Sequence, residues 1–156
     1  MTPNTQTPLE TSKATAEALN GLLSDATVFW FKLHNDHWNF RGGQFFTLHV
    51  KYEELYTRWA GVVDQIAERV LTVGHRPVGT LREALELAQV EERTQDLGAT
   101  DRVRSTLEDL RLMHERMGQA IEVASSAGDR GTENLLDDVR DTMEKNMWML
   151  RAFLSE

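Results

Sequence analysis

The sequence predicts an all-α protein built as a four-helix bundle, on three observations. Its only prolines are Pro3, Pro8 and Pro77, which leaves two long stretches free of the residue a helix interior tolerates least. Along those stretches apolar residues recur at i, i+3, i+4 and i+7, the period of a helix and not of a strand. Glycines at 42–43, 74–79, 98 and 128–131 cut the chain into four long segments and a short one.

The first helix is expected from about Glu10 to Phe40, with Leu19, Leu22, Leu23, Ala26, Phe29, Trp30 and Leu33 at helical spacing and Gly42-Gly43 as its stop. The second runs to about Val73 and stops at Gly74, with Pro77 beyond. Thr80 and Glu83 form a capping-box pattern, so a short helix follows to about Ala88. A polar stretch through Gly98 leads to Thr100, the expected N-cap of the third long helix, which carries Val103, Leu107, Leu110, Met117, Ile121 and Ala124 and ends near Gly128. Gly131 and Thr132 open the fourth, with Leu135, Leu136, Val139, Met143, Met147, Leu150 and Leu154 on one face. The outer two connections are short, which predicts antiparallel neighbours. The middle one is about 25 residues, and a long crossover there marks the ferritin-like topology instead of simple up-down-up-down. One domain over 10–156 is expected, after a polar, flexible tail at 1–9.

With 156 residues the chain can bury a real core, and 40% hydrophobic with 27% charged residues reads as soluble and globular. The absence of cysteine excludes disulfides and thiolate metal sites. The start lacks the basic and apolar regions of a signal peptide, and no apolar run approaches the roughly 18 residues of a membrane span, so a cytoplasmic location is the default. A net charge of −8 suits cations as partners better than nucleic acid, which usually meets a basic face.

The chemistry concentrates in the second helix, at His49, Glu53, Asp64 and Glu68. Each pair is spaced i, i+4, one turn apart on one face. Taken alone, each pair reads equally well as an ordinary solvated helix pair. All four share a stripe, yet His49 and Glu68 stand almost 30 Å apart along the axis at about 1.5 Å per residue. One helix cannot bring them to one metal. Two antiparallel copies can, because both outer-to-outer and inner-to-inner pairs share a midpoint between Arg58 and Trp59, with small Ala60 and Gly61 beside it. His37 continues the first helix's apolar stripe four residues after Leu33, as a further ligand or as a satisfied core histidine. Imidazole with carboxylate suits Fe(II), Mn(II) or Zn(II), and the hard oxygens suit Fe(III). No Glu-x-x-His occurs anywhere, so a di-iron site of the usual in-bundle kind is excluded. Of the other histidines, His34 is expected to make polar contacts, His75 to be solvated in a loop and His114 to sit in the core.

Several runs resemble the Dps family of mini-ferritins: Lys32-Leu33-His34-Asn35-Asp36-His37-Trp38-Asn39-Phe40-Arg41-Gly42, Phe45, Leu48-His49, Asp64-x-x-Ala67-Glu68-Arg69, Gly74-x-x-Pro77-x-Gly79-Thr80, and Glu144-Lys145-x-x-Trp148-Met149-Leu150. The resemblance covers about residues 15–154. It implies a hollow homododecamer that oxidises Fe(II) at sites shared by two subunits, preferably with hydrogen peroxide and otherwise with dioxygen, and stores Fe(III) mineral, protecting against oxidative damage. The ligands it implies are His37, His49 and Glu53 from one subunit with Asp64 and Glu68 from its mate, and Trp38 stands beside them. Glu53 departs from the aspartate of many members. Asp129, Glu133 and Asp137, near Asp138, match acidic iron-entry pores, although Asn134 stands where an acid is common. Members that bind DNA do so through lysine-rich tails, and residues 1–13 here carry only Lys13. Direct DNA binding is therefore not expected. The alternative is a nucleoid-associated shell that compacts DNA, with iron handling secondary.

Overall fold

A computed structural model describes residues 8–155, with side chains from Ser12 onward. It contains α1 (Pro8–Asn39), α2 (Phe45–Thr72), α3 (Leu81–Leu87), α4 (Ala99–Ser126) and α5 (Arg130–Leu154), and no strand among the described residues. The expected tail at 1–9 lies outside the described residues except for Pro8 and Leu9, which already belong to α1.

The glycine stops work as the sequence predicts. After α2, Gly74 adopts φ +88, its N–H bonds to Leu71 O (2.9 Å) and His75 N–H bonds to Val70 O (3.1 Å), which is a Schellman ending. Gly128, at φ +70, ends α4 in the same way through Ser125 O and Ala124 O. Gly42 takes φ +90 in the turn between α1 and α2. The capping box of α3 forms in full, with Glu83 N–H on Thr80 Oγ1 and Thr80 N–H on Glu83 Oε2, both 3.2 Å. Two starts differ from expectation. The N-cap of α4 is Gly98, not Thr100, because Arg102 N–H already bonds to Gly98 O at 3.0 Å. The cap of α5 is Asp129, whose carboxylate accepts from Thr132 N–H, so that helix opens one residue before Gly131.

Cross-bundle contacts fix the topology. Phe29 meets Trp59 edge-on at 4.9 Å and Phe40 meets Tyr52 at 4.7 Å, so α1 and α2 run antiparallel. Lys32 pairs with Asp109 at 2.6 Å and Asp25 with Arg116, which sets α1 antiparallel to α4. Arg69 on Thr132 and Arg58 on Thr142 set α2 antiparallel to α5. Helices α2 and α4 are therefore parallel, and the 73–98 connection must travel the bundle's length between them. The apolar stripes meet in one core through Leu19, Leu33, Leu55, Ile66, Leu110, Met117 and Leu136. Trp59, beside the predicted two-fold midpoint, is turned into that core, while Ala60 and Gly61 stay on the outer face.

Two buried aspartates pin the crossover to α1. Asp25 accepts from the backbone N–H of Gln89 (2.6 Å) and Val90 (3.0 Å) and pairs with Arg116. Asp36 pairs with Arg93 of the crossover and, at 2.7 Å, with Arg102 of α4. Asp109 is largely but not fully buried beside Lys32, and burial raises its carboxyl above the ordinary value against the lowering influence of that lysine. Among the described residues no helix is long and apolar enough to cross a membrane.

Candidate metal centre

The last turn of α1 and the first turns of α2 face each other across the Gly42 turn, and this brings His37 and His49 together. Their rings stack at 3.7 Å with 18° between planes. Each Nδ1 bonds to the other residue's backbone carbonyl: His37 Nδ1 to His49 O at 2.7 Å, and His49 Nδ1 to His37 O at 2.9 Å. A carbonyl only accepts, so both Nδ1 atoms carry a proton, and in the neutral imidazole the ring's lone pair is then on Nε2. The bond to His37 O also satisfies one of the carbonyls left over at the end of α1. A histidine that donates its Nδ1–H to a carbonyl and offers Nε2 has the arrangement found around protein-bound metals. The donor chemistry therefore fits a divalent transition metal.

Glu53 stands exposed one turn further along α2, and Asp64 and Glu68 are exposed beyond it. Among the described residues no three histidines, aspartates or glutamates converge on one point within a single chain. The fold assembles the two histidines and leaves the carboxylates on the surface of the same helix.

A row of rings surrounds the histidines. Phe45 stacks on His49 at 4.9 Å, and Tyr56 meets His37 edge-on at 5.1 Å. Tyr56 stacks on His34 at 3.8 Å, and His34 lies 4.8 Å from Trp30 and 5.4 Å from Trp38. His34 thus makes ring contacts where polar ones are expected, and burial, with the nearby His37 whenever that ring is protonated, lowers its pKa. Trp38 is 60% exposed and meets exposed Phe31 edge-on. Beside it a cavity of about 210 Å³ opens between α1 and α3, lined by Phe31, Leu81 and Leu85 among others, and the buried Nε1 of Trp30 there has no acceptor.

The acids at the start of α5 divide. Asp129 is committed within the chain: Oδ1 accepts from Arg69 (2.5 Å) and Thr132 N–H (3.1 Å), and Oδ2 from Thr132 Oγ1 (2.6 Å). Burial pushes its pKa up, but these bonds outweigh burial and hold it below the ordinary value. Glu133 is half-buried, and Asp137, one turn on, is exposed. Two histidines differ from expectation. His114 is not in the core: it is half-exposed and bonds to Glu144 of α5 at 2.8 Å, because its helix face meets α5 there. His75 is half-buried, with Nε2 3.1 Å from Ser12 Oγ, because the Schellman turn folds it back onto α1.

The sequence matches the ferritin-like domain family over residues 16–156. A relative from Bacillus anthracis, named DNA protection during starvation protein 2, is 41% identical over 93% of this chain and 99% of its own length. The crystal structure of a Dps protein from Bacillus brevis superposes with a TM-score of 0.91 at 40% identity, covering 96% of this chain and 99% of that one. A Dps protein from Vibrio cholerae, described as a member of a broad superfamily of ferritin-like diiron-carboxylate proteins, superposes with a TM-score of 0.91 at 34% identity, covering 94% of this chain and 92% of its own.

Proposed function

The chain belongs to the Dps family of ferritin-like proteins, and on that premise we propose that it is a ferroxidase and iron-storage mini-ferritin. Fe(II) is its substrate, bound by His37, His49 and Glu53 of one subunit with Asp64 and Glu68 of a two-fold mate. The observation that carries this reading is the reciprocal His37–His49 pair, each Nδ1 donating to the other residue's carbonyl, with His49 on the same helix as three exposed carboxylates.

A single chain holds the two halves of the donor set far apart, and the shared midpoint at Arg58–Trp59 supplies the operation that reunites them. The outer face fits a mate in two further respects. Small Ala60 and Gly61 are exposed at the crossing, and no neighbouring atom stands where a side chain on Gly61 would begin. Apolar Phe31, Trp38, Leu81 and Leu85 are exposed nearby on α1 and α3, a patch that a lone soluble chain would leave in water. The full shell is a homododecamer, located in the cytoplasm.

The reaction balances on two irons. Each Fe(II) gives one electron to one hydrogen peroxide; the O–O bond breaks, both oxygens leave as hydroxide or water, and little hydroxyl radical escapes. Carboxylates must be ionised and imidazoles neutral to hold the metal, so protons compete with Fe(II) and acidification slows the reaction. Glu133 and Asp137 serve as the acidic entry, whereas Asp129 contributes by capping α5 and orienting Arg69. Protection runs through iron and peroxide, because a chain of net charge −8 repels phosphate.

Anaerobic Fe(II) titration followed by peroxide tests the function, with iron counted per subunit. Asp64→Asn combined with Glu68→Gln should leave assembly intact and slow oxidation at least about tenfold, the scale of a lost metal-site interaction. Initial rates equal to wild type would reject the site.

A further inference from the structure

We propose that Phe45 and Tyr56 are positioning residues, a pair of ring walls that lock the His37–His49 stack with both Nε2 atoms presented before any metal arrives. The proposal rests on the metal reading above and adds to it the cause of the site's pre-organisation.

An imidazole turns about its Cβ–Cγ bond in a broad, two-fold well, and a half-turn exchanges Nδ1 with a carbon. Either histidine could make that turn and lose its carbonyl bond unless something blocks the sweep. The turn passes through an orientation perpendicular to the resting plane, so it needs empty space on both ring faces. His49 has none. His37 covers one face at 3.7 Å, and Phe45, also near-parallel at 23°, must cover the other at 4.9 Å. His37 has His49 on one face and the perpendicular ring of Tyr56 against it at 5.1 Å and 86°. Tyr56 cannot swing aside, because it is stacked on His34 at 3.8 Å, which in turn contacts Trp30 edge-on. The two helices thus supply an unbroken row of ring contacts whose two ends, Phe45 and Trp30, are not ligands, and whose effect is to hold two tautomers.

The test reads the tautomers directly in metal-free particles by solid-state ¹⁵N NMR of labelled histidine, and reads affinity separately by anaerobic Co(II) titration followed through the d–d bands. In wild type both histidines should show the Nδ1–H form. In Phe45→Leu and Tyr56→Leu the Nε2–H form should grow in, and Co(II) should bind about 10- to 100-fold more weakly, the usual cost of losing an outer-sphere partner. Particle size should not change, and Phe45→Tyr and Tyr56→Phe, which keep the rings, should restore both readouts. Should a leucine variant fail to assemble, Phe45→Met or Tyr56→Met takes its place, keeping apolar volume without a ring. Wild-type tautomers in the ringless variants would overturn the proposal. A wild-type protein that takes up no Co(II) would sink the metal reading instead, while the tautomer comparison would still decide the walls.

Discussion

Asp36 is one residue from His37, and its loss should cost more stability than any exposed acid on the molecule. Its side chain is 1% exposed and sits between the guanidiniums of Arg93 and Arg102, whose side chains are 7% and 3% exposed. Asp36→Ala leaves two buried cations short of a partner. Arg102 retains Asp96 at 2.7 Å and Leu97 O at 2.8 Å, so part of its charge stays paired. Among the described residues Arg93 retains its hydrogen bond to Ser105 at 3.0 Å and the more distant charge of Asp109, and its buried Nε already lacks an acceptor. Breaking a buried pair by removing one member costs about 3–5 kcal/mol, and Arg102's remaining bonds place this case near 3. For a chain of this size that is a fall in Tm of about 6–12 °C. The internal comparison is Asp96→Ala, which removes a carboxylate from the same Arg102 but one whose side chain is 66% exposed; it should cost under about 1 kcal/mol. Both variants are unfolded thermally at one protein concentration, because assembly couples to stability. Equal shifts for the two would refute the reasoning, since it assigns the whole difference to burial.

Two further outcomes follow from local geometry. Gly74→Ala forces a Cβ into a φ +88 position and should cost about 1 kcal/mol or somewhat more, measured as a lower denaturation midpoint; Gly61→Ala, where nothing lies within 4 Å, should be neutral or stabilising by up to about 1 kcal/mol in the unassembled chain. Glu83 accepts from Arg76, Gly79 and Thr80, with the Arg76 hydrogen bonds the largest influence, and its carboxyl is held down at about 2 against an ordinary 4.5. A depressed carboxyl lends its support in full above the ordinary value and loses it as pH falls through the lowered one. The capping box of α3 should therefore persist at pH 4 and be lost between there and about pH 2, followed by ¹³C titration of Glu83; a Glu83 midpoint near 4.5 would contradict the pairing.

The bundle was legible because its signals are local and repeated. Apolar period, the glycines at 42, 74 and 128 and the Thr80–Glu83 box each act within a few residues, and the structure realises all of them. The misplaced starts at Gly98 and Asp129 have a common cause: a cap is decided by backbone geometry, and Thr100 and Gly131 lie one or two residues inside helices that had already begun. The buried aspartates were not legible. Asp25 and Asp36 lie on an apolar stripe, but their partners are 57 to 91 residues away in the chain, and nothing local links an aspartate to an arginine at such distance. His114 lies on an apolar stripe yet meets Glu144, because a polar residue on a stripe can face a neighbouring helix's edge as well as the core. At the centre itself, spacing identified His49, Glu53, Asp64 and Glu68, and stripe continuity identified His37. It could not show that His37 and His49 hold one another through their backbones. Tyr56 lies seven residues after His49 and so on the same face, but spacing alone does not distinguish a ring against the histidines from an ordinary packed tyrosine.

Mixed assembly tests the central claim, that each iron site is completed across two subunits, most directly. One chain carries His37→Ala with His49→Ala, the other Asp64→Asn with Glu68→Gln, and the two are unfolded, mixed in equal amounts and reassembled. Each chain alone should bind and oxidise little Fe(II). In a two-fold pair made of one of each, one site inherits both defects and the other inherits none, so random pairing should restore about a quarter of the wild-type sites and the matching share of peroxide-driven oxidation. Mixed particles no more active than their parents would contradict the account, for that is the result if each site is built within a single chain.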